Sequence, residues 1–172
     1  MSKTTIDKIK QSSPFYEIII DAYEAFAVPR PNNLNVCDAC CMEIDDQLRM
    51  LSYQSSDIPI HYMREWYEAA AQRLLFPKNI WMFVLPRTLE LLAINKDPTW
   101  IGIEVALRRF PTGDKSQWTS EQWDVLDRFQ KLFLKSVFSI EGTRCQEYPL
   151  DDKLCMFYLG GWSLGELKKT NI

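Results

Sequence analysis

The chain has 172 residues, 47% of them apolar and 25% charged, with a net charge of −3. That length fits one domain, and that balance excludes both a disordered chain and the basic face of a nucleic-acid binder. A domain this long can bury roughly two-thirds of the surface its unfolded chain exposes, so it needs neither disulfides nor metal to build a core.

Glycine is scarce, at six residues, whereas all-β folds need many turn positions with positive φ. The composition therefore leans helical. The first dozen residues are polar and are expected to be loosely ordered. Ser13-Pro14 then offers a cap with proline at the first helical position. Phe15, Ile18, Ile19, Ala22, Tyr23 and Phe26 follow at helical spacing and predict an amphipathic helix that ends before Pro29. Its polar side carries Glu17, Asp21 and Glu24, with no Lys or Arg in the segment to balance them. A solvated face is the ordinary reading of such a stripe; a docking surface is the functional one.

After a proline-rich loop comes a cysteine corner at Cys37, Cys40 and Cys41. Ile44, Leu48 and Leu51 suggest a short second helix. Ser55-Ser56-Asp57 caps a third, begun by Pro59, whose stripe is Ile60, Met63, Tyr67, Ala70, Ala71 and Leu74, with Trp66 on its flank. Residues 80–94 are apolar on most sides, so this segment is expected to be central. Pro86 inside it predicts a kink or two short helices, with an extended stretch over residues 80–85 as the alternative. Asp97-Pro98 is read as the start of a further helix running to residue 109, with Ile103, Ala106, Leu107 and Phe110 on one side.

Thr119 with Gln122 forms a capping box, in which each side chain satisfies the other residue's backbone N–H. Trp123, Leu126, Phe129, Phe133 and Val137 give the following helix its apolar face. Asp124 to Arg128 and Asp127 to Lys131 are i, i+4 pairs on the opposite side. Residues 139–149 read as a loop, residues 150–159 as a short apolar helix stopped by Gly160-Gly161, and Ser163 as the cap of a last helix to Lys169. The expectation is an all-α chain of seven to eight short helices in a single domain, arranged as an irregular orthogonal bundle or a stacked array.

Four constellations bear on chemistry. Two thiolates spaced as Cys37-x-x-Cys40, with Cys41 beside them, can grip one Zn²⁺ from a tight turn, but a structural site needs four ligands and no second pair is evident. Reduced, partly buried thiols are the plainer reading. His61 is the only histidine, which rules out multi-histidine metal motifs; a Cys–His catalytic pair is conceivable, and a packing role is the simpler one. Arg87 and Glu90 stand i, i+3 on the one polar strip of a buried helix, where they can pair, fix an orientation or hold an anion. Gly160-Gly161 could admit a ligand against the backbone or simply end a helix. Arg108-Arg109 and Lys168-Lys169 are too small to make a nucleic-acid patch.

The Cys37-x-x-Cys40-Cys41-Met42 motif, followed by the LPRxLELLA run over residues 85–93, resembles motifs shared by a group of bacterial helical proteins with no established function. The resemblance covers mainly residues 37–94 and implies no activity and no site residues. The sequence shows no secretory leader and no run of about 18 apolar residues, so the expected location is the cytoplasm, with no membrane association.

The sequence thus favours a small protein-interaction module over an enzyme: no catalytic set, mild acidity, and many Trp and Tyr residues suited to interfaces. Its sharpest form is a neutralising partner of immunity or antitoxin type, docking on a basic protein through Glu17, Asp21 and Glu24. A zinc-stabilised structural domain is the alternative, and an enzyme whose site assembles from distant residues is the next.

Overall fold

A computed structural model describes residues 6–38, 41–71, 77–108, 110–140, 150–163, 165 and 167. These residues contain six α-helices, three 3-10 turns and no strand. No helix among them is long and apolar enough to cross a membrane. The helices are α1 (Tyr16–Ala25), α2 (Ile44–Ser52), α3 (Ile60–Ala71), α4 (Lys78–Ala93), α5 (Ser120–Ile140) and α6 (Leu150–Leu159). The chain divides into two compact units, Met1–Ile101 and Gly102–Ile172, where the sequence shows no linker.

The first unit is built around α4. Ten consecutive residues of this helix, 83–92, are buried, as expected of a central segment. One α-helix runs through Pro86, so this segment is neither two short helices nor the extended stretch considered for residues 80–85. Proline lacks the N–H that would bond back one turn and pushes aside the carbonyls before it. Here the Ser55 hydroxyl donates to the Phe83 carbonyl at 2.6 Å, so a carbonyl in the disturbed turn has a partner from outside the helix. At its C-terminus α4 closes with Asn95 in the left-handed region (φ 56°). Its N–H bonds to the Leu92 carbonyl, and the Lys96 N–H reaches back to the Leu91 carbonyl. This is the Schellman arrangement with asparagine where glycine is commoner.

α1 buries Ile18, Ile19 and Ala22, with Phe15 and Phe26 buried at its ends, as its periodicity requires. Ser13 and Pro14 lie just ahead of the helix rather than capping it: the Ser13 carbonyl accepts from Tyr16 N–H and its hydroxyl from Phe15 N–H. Residues 6–10, expected to be loose, form no helix but are anchored. The Ile9 N–H bonds to Glu90 and the Lys8 ammonium to Asp57.

α2 departs from expectation. Ile44 and Leu48, two of the three apolar residues that suggested it, are 54% and 57% exposed, and its inner face is Gln47, Met50 and Leu51. A buried glutamine is tolerated because its amide donates to the Met42 carbonyl at 2.9 Å. In α3, Trp66 is fully buried rather than flanking, while Ile60 is only half-buried. Leu74 and the side chain of Ala71 lie outside the described residues.

The second unit also holds a correction. The helix expected over residues 97–109 is absent: residues 99–101 are irregular, and only Ile103–Val105 winds, as a 3-10 turn. One local feature, at Gly102, opposes a continuous helix. The Asp97 carboxylate accepts from the N–H of Thr99, as a helix cap would, but no helical turn follows it. Gly102 sits at φ 141°, far from helical values. Ile103, Ala106, Leu107 and Phe110 are nonetheless all buried, and their turn packs on α6.

α5 matches the sequence closely. Thr119 N–H bonds to Gln122 Oε1 (3.2 Å) and Gln122 N–H to Thr119 Oγ1 (3.3 Å), completing the capping box. Leu126, Phe129, Phe133 and Val137 are buried, and both i, i+4 pairs form, Asp124–Arg128 at 2.8 Å and Asp127–Lys131 at 2.6 Å. α6 stops at Gly160-Gly161 in a second Schellman arrangement. Gly161 has φ 95°, and the Trp162 N–H returns to the Phe157 carbonyl. The loop at residues 141–149, Arg109, and Lys168-Lys169 at the end of the expected last helix lie outside the described residues.

Candidate functional site

α1 has two faces with opposite tasks. Its inner face packs on α4. One polar group sits at that contact: the Tyr23 hydroxyl donates to Glu90 Oε2 at 2.6 Å. The outer face carries Glu17 and Glu24, both exposed, and Asp21, partly exposed. Ile20 flanks this stripe at 38% exposure. One helix thus brings Glu17, Asp21 and Glu24 to a common solvent-facing side, with an apolar residue at its edge. No Lys or Arg occurs within the helix.

What fixes α1 in place is a buried polar cluster. Arg87 is 0% exposed and Glu90 2%, and they meet at 2.6 Å. Glu90 Oε2 accepts from both the Arg87 guanidinium and the Tyr23 hydroxyl, and Oε1 accepts from the Ile9 N–H. Arg87 Nε donates to the Ile58 carbonyl at 2.9 Å, while its third nitrogen, Nη2, has no hydrogen-bond partner among the described residues. Ionic groups so deep persist only when paired and hydrogen-bonded, because the interior does not screen them as water does. Glu90 therefore ties together the N-terminal segment, α1 and α4, and Arg87 adds Ile58, two residues before α3. Burial, and then the Glu90 carboxylate, push the Tyr23 hydroxyl well above its usual pKa, so it stays protonated as the donor.

The spacing of Arg87 and Glu90 predicts their pairing, whereas the periodicity of α1 places Tyr23 only in an apolar stripe. A tyrosine at an inward-facing helix position needs a partner for its hydroxyl, and that is the signal that could have found it.

Beside this cluster the first unit holds a cavity of about 540 Å³, open to solvent. Its walls are mainly apolar, with Ile19, Ile20, Phe26, Met82 and Phe83 among them.

The other candidates stay separate. Cys37 and Cys41 are partly buried, and Cys40 lies outside the described residues. No group of three or more His, Cys, Asp or Glu side chains is arranged to hold a metal among the described residues. His61 is partly buried, its ring tilted against that of Tyr62 with centroids 4.1 Å apart. Gly160-Gly161 makes a close backbone approach, but to the chain's own segment: Gly113 N–H bonds to the Gly160 carbonyl at 2.9 Å. A Cβ on Gly113 would stand 2.3 Å from the Trp162 nitrogen. Comparison with protein-family models, characterised proteins and solved structures finds no match for the chain.

Proposed function

We propose that the chain is a small cytoplasmic interaction module that acts by binding another protein rather than by catalysis. In its sharpest form it is a neutralising partner of immunity or antitoxin type. The observation that carries this reading is the outer face of α1, where Glu17, Asp21 and Glu24 form an acidic stripe with the exposed Ile20 at its edge. Such a face suits a basic partner. Its carboxylates steer encounter over distances of about a Debye length, and the apolar edge supplies contact that water does not reward. The buried cluster at Glu90 supports the same reading, because a docking helix held rigidly loses little freedom on binding. Ile44 and Leu48, one helical turn apart and both more than half exposed, give α2 an apolar outer face of the kind found at interfaces.

The test is charge reversal. The Glu17→Lys/Asp21→Lys/Glu24→Lys variant is expected to associate more slowly with the partner retained by the wild-type chain, and to lose the salt sensitivity of that association. Equal association rates at low and high salt for both proteins would reject docking through α1.

A further inference from the structure

The cavity beside α1 and α4 has a size usual for small-molecule sites, which run roughly 300–1,000 Å³ and combine apolar walls with a few polar groups. What it would hold follows from counting the charges that line it. Three charged residues do so: Glu90, Lys8 and Arg30. Glu90 is already neutralised by Arg87, and both its oxygens accept hydrogen bonds. Lys8 is paired with Asp57 at 2.9 Å and also donates to the Ser56 carbonyl. Arg30 is exposed and makes no ion pair among the described residues. The lining therefore carries one uncompensated positive charge, and it lies on the solvent-exposed Arg30. Tyr16 adds a phenol that makes no hydrogen bond among the described residues.

A cationic ligand would meet a site whose acid is already saturated. A neutral apolar one would leave the guanidinium without use. We infer that the cavity is a binding site for a small amphiphilic anion, a carboxylate carrying one medium-length alkyl chain. The chain lies against Ile19, Phe26, Met82 and Phe83, and the head group engages Arg30 with help from the Tyr16 hydroxyl. A guanidinium fits a carboxylate with two parallel N–H donors, which makes it a selective anchor for that head. This site is independent of the docking proposal, although Ile20 belongs to both surfaces.

The test is calorimetric titration of the full chain with decanoate below its micellar concentration, alongside decyltrimethylammonium and acetate. One-to-one saturable binding of decanoate is expected, with at least tenfold weaker binding of the cation and none of acetate, every tenfold being about 1.4 kcal/mol. Arg30→Glu changes an exposed residue and should leave the helical melt unchanged while weakening decanoate about tenfold. Tyr16→Phe should weaken it by about threefold, in keeping with the loss of one hydrogen bond. Ala27→Trp, at an exposed lining position, should block it by filling the entrance. Methyl resonances of Ile9, Ile19, Ile20 and Met82 should shift on titration. Failure of decanoate to saturate, equal affinity for the two amphiphiles, an unchanged affinity in Arg30→Glu, or shifts confined to Ile44 and Leu48 would each overturn the assignment.

Discussion

The two units solve the problem of holding short helices together in different ways. The first unit commits a full ion pair to its interior: Arg87 and Glu90 are buried with Tyr23 and the Ile9 N–H around them. The second relies on aromatic packing and a close backbone crossing. Trp123 stacks on Trp162 (5.2 Å, 22° between planes), Phe157 meets Trp162 and Phe133 edge-on, and Trp162 Nε1 donates to Thr112 Oγ1. The first unit is thus sensitive to charge and the second to volume. The same contrast extends to the surface. The acids of α1 have no basic residue on their own helix, whereas Asp124 and Asp127 of α5 are paired with Arg128 and Lys131. The first unit carries a cavity beside its ionic cluster.

The largest expected effect comes from breaking the buried pair. Arg87→Leu leaves the Glu90 carboxylate unpaired in the interior and should lower stability by about 3–5 kcal/mol, read from the denaturant midpoint. The double variant Arg87→Met/Glu90→Leu should be less destabilised than the single one, because no lone charge remains. If the double variant were the weaker of the two, the pair would be a net source of stability and the contrast with the second unit would need restating.

Next is the backbone crossing of the second unit. Gly113→Ala would press a Cβ into main-chain atoms of Gly161 and Trp162, which cannot rotate away. A loss of about 2–3 kcal/mol is expected, with the mean-residue helicity of the folded protein retained. Gly161→Ala has room for its Cβ but inherits φ 95°, so its loss should be smaller, about 1 kcal/mol. A reversed order would show that strain rather than close approach governs this turn.

Alkaline pH should act on the first unit. Tyr67 is fully buried, its hydroxyl 3.0 Å from Thr88 Oγ1, and burial raises its pKa far above the usual value; Tyr23 is raised for the same reason and by Glu90. A group whose folded pKa is raised contributes stability that is complete below its unfolded value, near 10 for tyrosine, and is lost as pH rises above it. Above about pH 10 each such tyrosine should remove about 1.4 kcal/mol per pH unit, and Tyr67→Phe should make the thermal midpoint less steep in that range. A profile equally steep in the variant would place the sensitivity elsewhere. The smallest effect is expected for Leu48→Ser: the side chain is exposed, so stability should change by no more than about 0.5 kcal/mol.

How much of this was legible in the sequence varies with how local the cause is. The capping box at Thr119 and Gln122 is a contact between near neighbours, and it forms as written. The apolar stripe of α1 likewise states its own burial. α2 could not be read this way: nothing near Gln47 announces that the Met42 carbonyl will take its amide, and without that bond Ile44 and Leu48 would be the better inner face. Pro86 suggested a break because the Ser55 hydroxyl at Phe83 is supplied from 28 residues away. Ile103, Ala106, Leu107 and Phe110 kept their burial but not their helix, which is interrupted at Gly102, whose backbone conformation is far from helical. At the site, the three acids of α1 were visible by spacing. The cavity was not, since its lining comes from residues 8–30, 54–56 and 82–90, which only folding assembles.

The most direct test of the central claim compares the two acidic helix faces. The wild-type chain, the α1 variant Glu17→Lys/Asp21→Lys/Glu24→Lys and an α5 variant Glu121→Lys/Asp124→Lys/Asp127→Lys would be immobilised in turn. Capture of the partner that the wild type retains would then be measured as a function of salt. Docking through α1 predicts that the α1 variant loses the partner and its salt dependence while the α5 variant keeps both. Retention by the α1 variant, or equal loss in the two variants, would contradict it.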